Sequence, residues 1–552
     1  MQYSEELING EIFEKMIKGA AASLHKSVAK VNDLNVFPIP DGDTGDNMLL
    51  TLKGGLDGLK SAASESLEEK ARAVASGMLL GARGNSGVIL SQLFFGLSEG
   101  LKGCREAGAK ELGAALLEGV RCAYGAVAHP VEGTILTVAR EAAELAASKT
   151  SDTTTLAEFF DCYLTEMRAS LERTPSLLPV LEEAGVIDSG GAGLLYITEG
   201  LCGSFSGDSP ELTESVKTEG AALDFSKFDE NSEMVYGYCT EILLRLQKSK
   251  CSPEDFSVEK LVAFLESVGD SVVAFRTGSI VKMHVHTLKP YLVLEHCQKF
   301  GEYLTVKIEN MTLQHNEGAK DEAPVKKLKP KRKRVKFATV TVASGEGLQQ
   351  MFREMGADEV ISGGQTSNPS SEDFISAFDY VNADFIFVLP NNGNIVLAAK
   401  QAAEIYKDSD VRVIETKSIG AGYSALEMLD YSSDDADEIA SRMREDMNGS
   451  VTGLIARSVR DTTLNGVRVE RDDYMGFTGK DMIASTPDKI EAFKALAKHL
   501  TDGRSFLITI HGKDATSEER EAARAAAEEL CGIEYYEVDG GQDVYDFILI
   551  AE

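Results

Sequence analysis

Apolar residues recur at helical spacing through the first 203 residues, which predicts a domain built mostly of α-helices. Repeats three and four positions apart place an apolar stripe along one face of each segment. The predicted helices cover residues 12–31, 67–80, 88–97, 114–127, 138–147 and 156–171. Strand-like alternation is scarce in this region. We therefore expect an all-α domain over 1–203 whose loops carry its site.

The pattern changes after a polar stretch at 204–225, which we interpret as a linker. Strands and helices then alternate over 226–315, and this predicts a small α+β domain. The predicted strands are 235–246, 271–275 and 280–287, and the predicted helices are 257–268 and 291–300.

A second linker, 316–335, contains a run of basic residues from Lys326 to Arg334. Such a run can bind nucleic acid or anionic lipid, or dock on an acidic surface, but we interpret it as a solvated tether. From 336 to 552 strands and helices alternate again, which predicts an α/β domain with a parallel sheet and crossover helices. The loops 362–370 and 389–394 follow predicted strands, where α/β sheets bind ligands.

Length and composition agree with a multidomain globular protein. The 552 residues are 43% hydrophobic and 26% charged. A net charge of −32 argues against nucleic acid or an anionic membrane as the main partner. The eight cysteines are scattered with no CxxC pair, and the N-terminus is polar and acidic, so we expect a location in the reducing cytoplasm. No apolar run approaches the roughly 18 to 20 residues that span a bilayer.

The densest polar chemistry lies in one stretch, Asn35 to Asn47, which we call the aspartate loop. Its prolines favour extended backbone and its glycines allow sharp turns close to a ligand. Asp41, Asp43 and Asp46 supply hard oxygen ligands, which suit Mg²⁺ bound together with substrate phosphates. The alternative is a polar turn, because Asp, Gly and Asn are common in turns for local reasons. A calcium loop does not fit, because no Glu follows at the required spacing.

Three further loops are unlike ordinary connectors. Residues 81–87 combine glycines and a hydroxyl before an apolar helix, so the backbone N–H groups there can bind phosphate or simply cap the helix. The glycine-containing loops 130–137 and 184–193 could surround a ribose or join two helices. No Walker A pattern and no protein-kinase signature set occurs in the chain.

Four ordered motifs carry a resemblance: N-V-F-P-I-P-D-G-D-T-G-D-N-M, G-A-R-G-N-S-G-V-I-L-S-Q, E-G-T-I-L-T-V and E-A-G-V-I-D-S-G-G-A-G. They resemble the nucleotide-binding L-type (DAK2) domain of dihydroxyacetone kinases and, more closely, the A subunit of fatty-acid kinases. The resemblance runs along essentially the whole chain. It implies a barrel of helices that binds ATP with two Mg²⁺ ions.

Carried over by position, the resemblance makes Asp41 and Asp43 the catalytic metal ligands and places Asn35 near the metals. The residues that it implies around the phosphates are Thr44, Asn47, Asn85 and Ser86, and those around the rest of the nucleotide are Gly133, Thr134, Ile135, Arg173, Asp188 and Gly190.

The chain departs from the family pattern at two places. Asp46 stands where the family usually has a small residue, so it is a third candidate Mg²⁺ ligand or a solvated carboxylate. Asn35 or Val36 stands where dihydroxyacetone kinases place a further Asp, which weakens dihydroxyacetone as the substrate.

The middle domain contains the run Met283 to Thr287, in which two histidines lie two residues apart. Residues so spaced on a strand project to one face, so His284 and His286 can share an ion or can simply face solvent. Cys239 and Glu241 lie on one face of another predicted strand, and a Cys with two His is a plausible zinc set. The resemblance implies that Cys239, His284 and His286 bind Zn²⁺.

The C-terminal domain resembles that of the fatty-acid kinase A subunit, which is similar in fold to DegV-like fatty-acid-binding proteins, and the resemblance implies a role in partner binding. The leading hypothesis is an ATP-dependent kinase that phosphorylates a fatty acid presented by a separate DegV-like protein, the B subunit. The alternatives are a dihydroxyacetone kinase-like enzyme and a nucleotide- or zinc-binding regulatory scaffold. We also expect a homodimer.

Overall fold

The computed structural model describes most of the chain. The described residues are 7–35, 42–60, 62, 66–205, 238–247, 249–251, 256–277, 280–310, 332–365, 367–427, 429, 431, 433–458, 461–464, 467–479, 481–530 and 532–552. The chain divides into two compact units. The first combines Met1–Leu212 with Pro330–Glu552, and the second is Thr213–Lys329. The predicted classes for the three domains, all-α, α+β and α/β, are those that the structure has.

The N-terminal domain is helical throughout its described part. Its helices are α1 (Gly10–Leu34), α2 (Thr44–Lys60), α3 (Leu67–Gly81), α4 (Gly84–Gly100), α5 (Ala109–Ala126), α6 (Ile135–Lys149), α7 (Leu156–Leu177), α8 (Pro179–Ala184) and α9 (Ser189–Phe205). One apolar core runs through this domain. An apolar cavity of about 80 Å³ is lined by Phe13, Phe94, Leu116 and Tyr163 of four different helices. Every helix that the apolar spacing predicts is present.

Helix α2 was not predicted, because its first residues belong to the aspartate loop. The polar-turn alternative is wrong from Thr44 onward, where the helix begins. Small residues explain how α2 packs so close to α3. A Cβ on Gly54 would lie 2.5 Å from the carbonyl oxygen of Gly77, so a larger residue does not fit between the two helices.

The second unit contains a four-stranded antiparallel sheet in the order β2-β3-β1-β4. Its strands are β1 (Tyr238–Leu246), β2 (Asp270–Thr277), β3 (Ile280–Thr287) and β4 (Gly301–Asn310), and its helices are α10 (Val258–Val268) and α11 (Pro290–Cys297). Helix α11 ends earlier than the predicted 291–300, and β4 was not predicted. A separate apolar core, which includes Leu244, Leu265 and Val285, stabilises this unit.

The C-terminal domain contains two larger sheets. A parallel sheet in the order β6-β5-β7-β8 contains β5 (Val335–Ala343), β6 (Glu359–Ser362), β7 (Ala383–Leu389) and β8 (Asp410–Val413). Its helices are α12 (Glu346–Glu354), α13 (Ser371–Val381), α14 (Val396–Ile405), α15 (Ile419–Glu427) and α16 (Ala436–Asp446). The predicted parallel sheet is therefore confirmed. The loops 362–370 and 389–394 follow β6 and β7, at the carboxyl ends of these strands, as expected.

The second sheet of this domain is mixed and has the order β13-β12-β9-β16-β14-β15. Its strands are β9 (Val451–Arg457), β12 (Tyr474–Thr478), β13 (Asp481–Thr486), β14 (Phe506–Gly512), β15 (Glu534–Gln542) and β16 (Phe547–Ala551). Helices α17 (Lys489–Leu500) and α18 (Ser517–Glu528) share an apolar core with it. A short hairpin pairs β10 (Thr462–Leu464) with β11 (Val467–Val469). In the described part of the chain, no helix is both long enough and apolar enough to cross a bilayer.

Candidate nucleotide and metal site

The described end of the aspartate loop runs directly into helix α2. Asp43, Thr44 and Asn47 are each less than a tenth exposed. The backbone N–H of Asn47 donates to the carbonyl oxygen of Asp43 at 2.8 Å, which closes the first turn. Burial raises the pKa of Asp43, and a hydrogen bond from the Asn47 side chain partly opposes that rise. The carboxylate of Asp43 is thus held against a helix N-terminus in a largely desolvated place.

The other predicted residues of this loop lie differently. Asn35 follows the end of α1, and its backbone N–H donates to the carbonyl oxygen of Asn32 at 3.0 Å. Asp46 is exposed, and its carboxylate accepts a hydrogen bond of 2.7 Å from the Asn32 side chain. Its role toward a metal stays a prediction. Asp41 lies outside the described residues.

The start of helix α4 packs directly against this end of α2. Gly84 has φ +57°, and a Cβ there would lie 2.7 Å from the amide nitrogen of Asn47. The positive φ favours glycine, and the close approach to Asn47 brings the backbone of the second loop beside the aspartate loop. Asn85 and Ser86, in the first turn of α4, are partly buried. The structure therefore brings the first two predicted loops together.

The other two glycine-containing loops meet each other and the start of α2. Gly133 has φ +83°, and its N–H donates to Thr137 Oγ1 at 2.8 Å. Asp188 Oδ2 accepts the N–H of Gly191 at 2.7 Å. Burial raises the pKa of Asp188 to about 6, and backbone hydrogen bonds from Gly191 and Ile135 partly oppose that rise. Ser189 Oγ donates to Thr44 Oγ1 at 3.4 Å.

The remaining predicted residues on these loops fit the same region. Thr134 is the N-cap of α6, and its hydroxyl accepts the N–H of Leu136 at 3.4 Å. A Cβ on Gly190 would lie 3.2 Å from the side chain of Ile135, so the two loops are in close contact. Their roles toward a nucleotide stay predictions.

Arg173, also predicted to lie near the nucleotide, forms ion pairs away from the start of α2. Its guanidinium forms ion pairs of 2.6 Å with Glu141 and Glu166, and these carboxylates raise its pKa. These ion pairs tie Arg173, on α7, to α6 and to its own helix. Its role toward the nucleotide also stays a prediction.

Sequence reasoning missed the contribution of the C-terminal domain to this place. Asn368, in the loop after β6, donates from Nδ2 to Asp43 Oδ2 and is only 2% exposed. Arg83 Nη1 donates to the carbonyl oxygen of Asn368 at 2.9 Å, and Asn85 Nδ2 donates to Asn394 Oδ1 at 3.0 Å. The two C-terminal loops that were predicted to bind a ligand at strand ends therefore contact the helical domain. The sequence indicated this contribution only through the position of these loops after predicted strands. That position does not identify the contact between Asn368 and Arg83, which are 285 residues apart.

The contact between the two domains continues beyond the loops. The N–H of Ser371 donates to the carbonyl oxygen of Ala82 at 3.3 Å. Ala82 and Val88 belong to the apolar core that surrounds Val340 and Phe374 of the C-terminal domain. Burial lowers the pKa of Arg83. Apolar packing and hydrogen bonds together therefore hold the C-terminal domain against the helical domain.

The residues at this place fit a bound cation. Asp43 is a buried carboxylate, and such a charge is unfavourable without a partner. The amide oxygens of Asn85 and Asn368 are also buried and accept no hydrogen bond from any described group. Oxygen acceptors of this kind suit Mg²⁺ together with a nucleotide. Asp43, with the predicted Asp41, would hold such an ion.

The predicted zinc residues lie on paired strands of the second unit. The register of β1 and β3 places Cys239 opposite His286 and Glu241 opposite His284. The side chains of these four residues are outside the described part of the structure. Among the described residues there is no cluster of three or more His, Cys, Asp or Glu that could hold a metal, and the zinc site stays a prediction.

Comparisons with known proteins cover all three domains. The DAK2 domain matches residues 38–203, and the middle and C-terminal domains of fatty acid kinase A-subunit-like proteins match residues 235–318 and 338–552. Relatives include protein YloV of Bacillus subtilis (strain 168), 38% identical over 556 residues, and uncharacterized protein SAR1202 of Staphylococcus aureus (strain MRSA252), 37% identical over 557 residues. Each match covers 99% of both chains.

Two solved structures are similar to parts of the chain. The DegV family protein Cg2579 from Corynebacterium glutamicum is 17% identical with a TM-score of 0.30, and the match covers 39% of this chain and 97% of that one. The dihydroxyacetone kinase from C. freundii in complex with AMP-PNP and Mg²⁺ is 18% identical with a TM-score of 0.28, and the match covers 37% and 35%. With full-length relatives and three family domains in order, the chain belongs to the fatty acid kinase A-subunit-like proteins.

Proposed function

We propose that this kinase phosphorylates the carboxylate of a fatty acid carried by a separate DegV-like fatty-acid-binding protein, and releases an acyl phosphate. The observation that carries the proposal is the match of all three domains to the fatty acid kinase A-subunit-like and DAK2 families. One subunit of a kinase implies a partner, and the carrier is the partner that the resemblance in sequence implies.

The reaction needs no general base. One carboxylate oxygen of the fatty acid attacks the γ-phosphorus of ATP, the bond from that phosphorus to the β,γ-bridging oxygen breaks, and its electron pair leaves with ADP. No proton moves, because a carboxyl group is already ionised at neutral pH. The side chains of Asn47 and Asn368, which contact Asp43, are amides rather than bases, and this agrees with such chemistry.

The protein's part in the reaction is to position the nucleotide and to favour charge on the phosphoryl group. Mg²⁺, when bound, neutralises phosphate charge. Asp43 and Asp41 would hold it, and the N–H groups that begin α4 would face the phosphates. The segment Asp188–Gly190 meets the start of α2 through the Ser189–Thr44 hydrogen bond and would lie beside the rest of the nucleotide.

The test is a reconstituted reaction with the full chain, ATP, Mg²⁺, a fatty acid and a DegV-family fatty-acid-binding protein from the same organism. Acyl phosphate is trapped with hydroxylamine, and ADP is measured in parallel. We expect turnover that requires the carrier and falls at least about 100-fold in Asp41→Ala and Asp43→Ala. Asp57→Ala is the matched control, because Asp57 is an exposed aspartate on α2 that pairs with Lys60.

Two outcomes would contradict the proposal. ATP consumption that needs dihydroxyacetone instead of the fatty acid and its carrier would favour the hydroxyketone kinase. Nucleotide binding without turnover on either substrate would favour a regulatory scaffold.

Zn²⁺ bound by Cys239, His284 and His286 is a second part of the proposal. The register that places Cys239 opposite His286 supports it, because the two lie on adjacent strands. Metal analysis of the purified protein should give about one Zn²⁺ per chain, and Cys239→Ala together with His286→Ala should lose it. Equal zinc content in this variant and the wild type would exclude these ligands.

A further inference from the structure

One of the contacts between the helical and C-terminal domains, made by the side chain of Asn368, reaches Asp43. Asn368 lies in the loop after β6, is 2% exposed, and donates from Nδ2 to Asp43 Oδ2. Asp43 is itself only 8% exposed. A buried hydrogen bond to one oxygen of a carboxylate fixes the orientation of the whole group, because few other rotamers are compatible with it.

The backbone of Asn368 also contacts the helical domain. Its carbonyl oxygen accepts a hydrogen bond from the Arg83 guanidinium at 2.9 Å, and Arg83 is the N-cap residue of α4. Arg83 also approaches the carboxylate of Asp373 at 3.8 Å. Arg83 therefore joins the start of α4 to the loop that contains Asn368.

Only one end of the Asn368 side-chain amide forms a described hydrogen bond. Nδ2 donates to Asp43, but Oδ1 is buried and accepts no described hydrogen bond. The side-chain amide of Asn85 is also only partly hydrogen-bonded: its nitrogen donates to Asn394, and its oxygen accepts no hydrogen bond from a described group. Unpartnered buried acceptors on both sides of the domain contact indicate a place that a cation or a donor of a bound ligand completes.

We propose that Asn368 is a positioning residue of the kinase site, contributed by the C-terminal domain, which orients Asp43 for Mg²⁺ and makes the site a joint product of two domains. A ligating carboxylate needs a second hydrogen bond to hold its free oxygen, and Asn368 supplies that bond. The inference rests on the proposed role of Asp43 in holding Mg²⁺. It adds that the helical domain alone does not contain the complete site.

The test measures metal binding without any acyl transfer. Mg²⁺ is titrated into the full chain at a fixed concentration of AMP-PNP, and binding is followed by calorimetry. In Asn368→Ala we expect the Mg²⁺ concentration for half-saturation to rise by about 10-fold to 100-fold, with nucleotide affinity restored at saturating Mg²⁺. Ser367→Ala is the matched control, because Ser367 is an exposed neighbour in the same loop, and it should stay within about twofold of the wild type.

Recovery at high Mg²⁺ distinguishes a positioning role from a purely structural one, because a loss of folding is not reversed by the ion. If Asn368→Ala melts below the assay temperature, Asn368→Leu, which keeps the side-chain volume, takes its place with the same expected shift. A variant that folds and binds Mg²⁺ with wild-type affinity would overturn the inference. Since no fatty acid or carrier is present, this result is independent of whether the acyl kinase proposal holds.

Discussion

Gln401 offers the sharpest test of how the two domains of the first unit are held together. It lies on α14, is 5% exposed, and uses both ends of its amide. Nε2 donates to the carbonyl oxygen of Leu79 at 2.6 Å, and Oε1 accepts Gln92 Nε2 at 3.0 Å. Longer hydrogen bonds join it to Ser91 and Ser371. We predict that Gln401→Leu weakens the docking of the C-terminal domain on the helical domain.

The magnitude follows from the two shorter hydrogen bonds. Each contributes about 1 kcal/mol net, and the partly buried Leu79 carbonyl left without its partner costs about 1 to 2 kcal/mol more, so the docking free energy should fall by about 3 to 4 kcal/mol. This corresponds to a factor of roughly 150 to 800 in the docking equilibrium. Leucine keeps nearly the same volume, so the change removes polar contacts without opening a cavity.

Hydrogen exchange can measure the effect directly. The N–H of Ser371 donates to the Ala82 carbonyl oxygen across the domain contact, so its exchange rate reports docking. In Gln401→Leu we expect faster exchange of the peptide that contains Ser371. Gln350→Leu is the matched control, because Gln350 is exposed on α12 and bonds only within its helix, to Glu354, among its described contacts. Unchanged exchange in Gln401→Leu would refute the view that this amide holds the domains together.

Two further predictions concern stability. Because burial raises the pKa of Asp188 to about 6, the folded state holds its proton more tightly than the unfolded state, and wild-type stability should fall as pH rises from about 4 to 6. Asp188→Asn should lose this dependence and be more stable above pH 6 by on the order of 2 kcal/mol, measured by urea unfolding at several pH values; parallel curves would contradict the assignment. Gly77→Ala should destabilise the helical domain by about 1 to 3 kcal/mol, because its Cβ would overlap the carbonyl oxygen of Gly54. Gly125→Ala, which meets nothing within 4 Å, should instead be neutral or stabilising in the same urea assay, and equal effects of the two changes would exclude the close helix contact as the cause.

Much of the local structure follows from the sequence for a simple reason. Apolar spacing, capping residues and glycines act over a few residues, so α3 could be predicted nearly to both ends and α7 to its first residue, although α7 continues six residues beyond the predicted 156–171. Ser66 and Thr155 cap these helices through bonds to residues three positions on, Glu69 and Glu158. Helix α2 was missed because its first turn has the composition of a polar turn, and the packing of α3 against its glycines overrides that preference.

The residues of the candidate site also fall into two groups: those that the sequence could indicate and those that only the tertiary structure brings together. The sequence by itself determined which loops carry carboxylates, hydroxyls and glycines, and the resemblance assigned them to ATP and Mg²⁺. Only the tertiary structure decided that Asn368 reaches Asp43, that Arg83 reaches the same loop, and that Asp46 faces solvent. The composition of a loop is a local property of neighbouring residues, so the sequence can indicate it. The contacts of Asn368 and Arg83 depend on the docking of two domains. The free energy of docking comes from buried surface and hydrogen bonds between residues about 300 positions apart, and no local pattern encodes such a pairing.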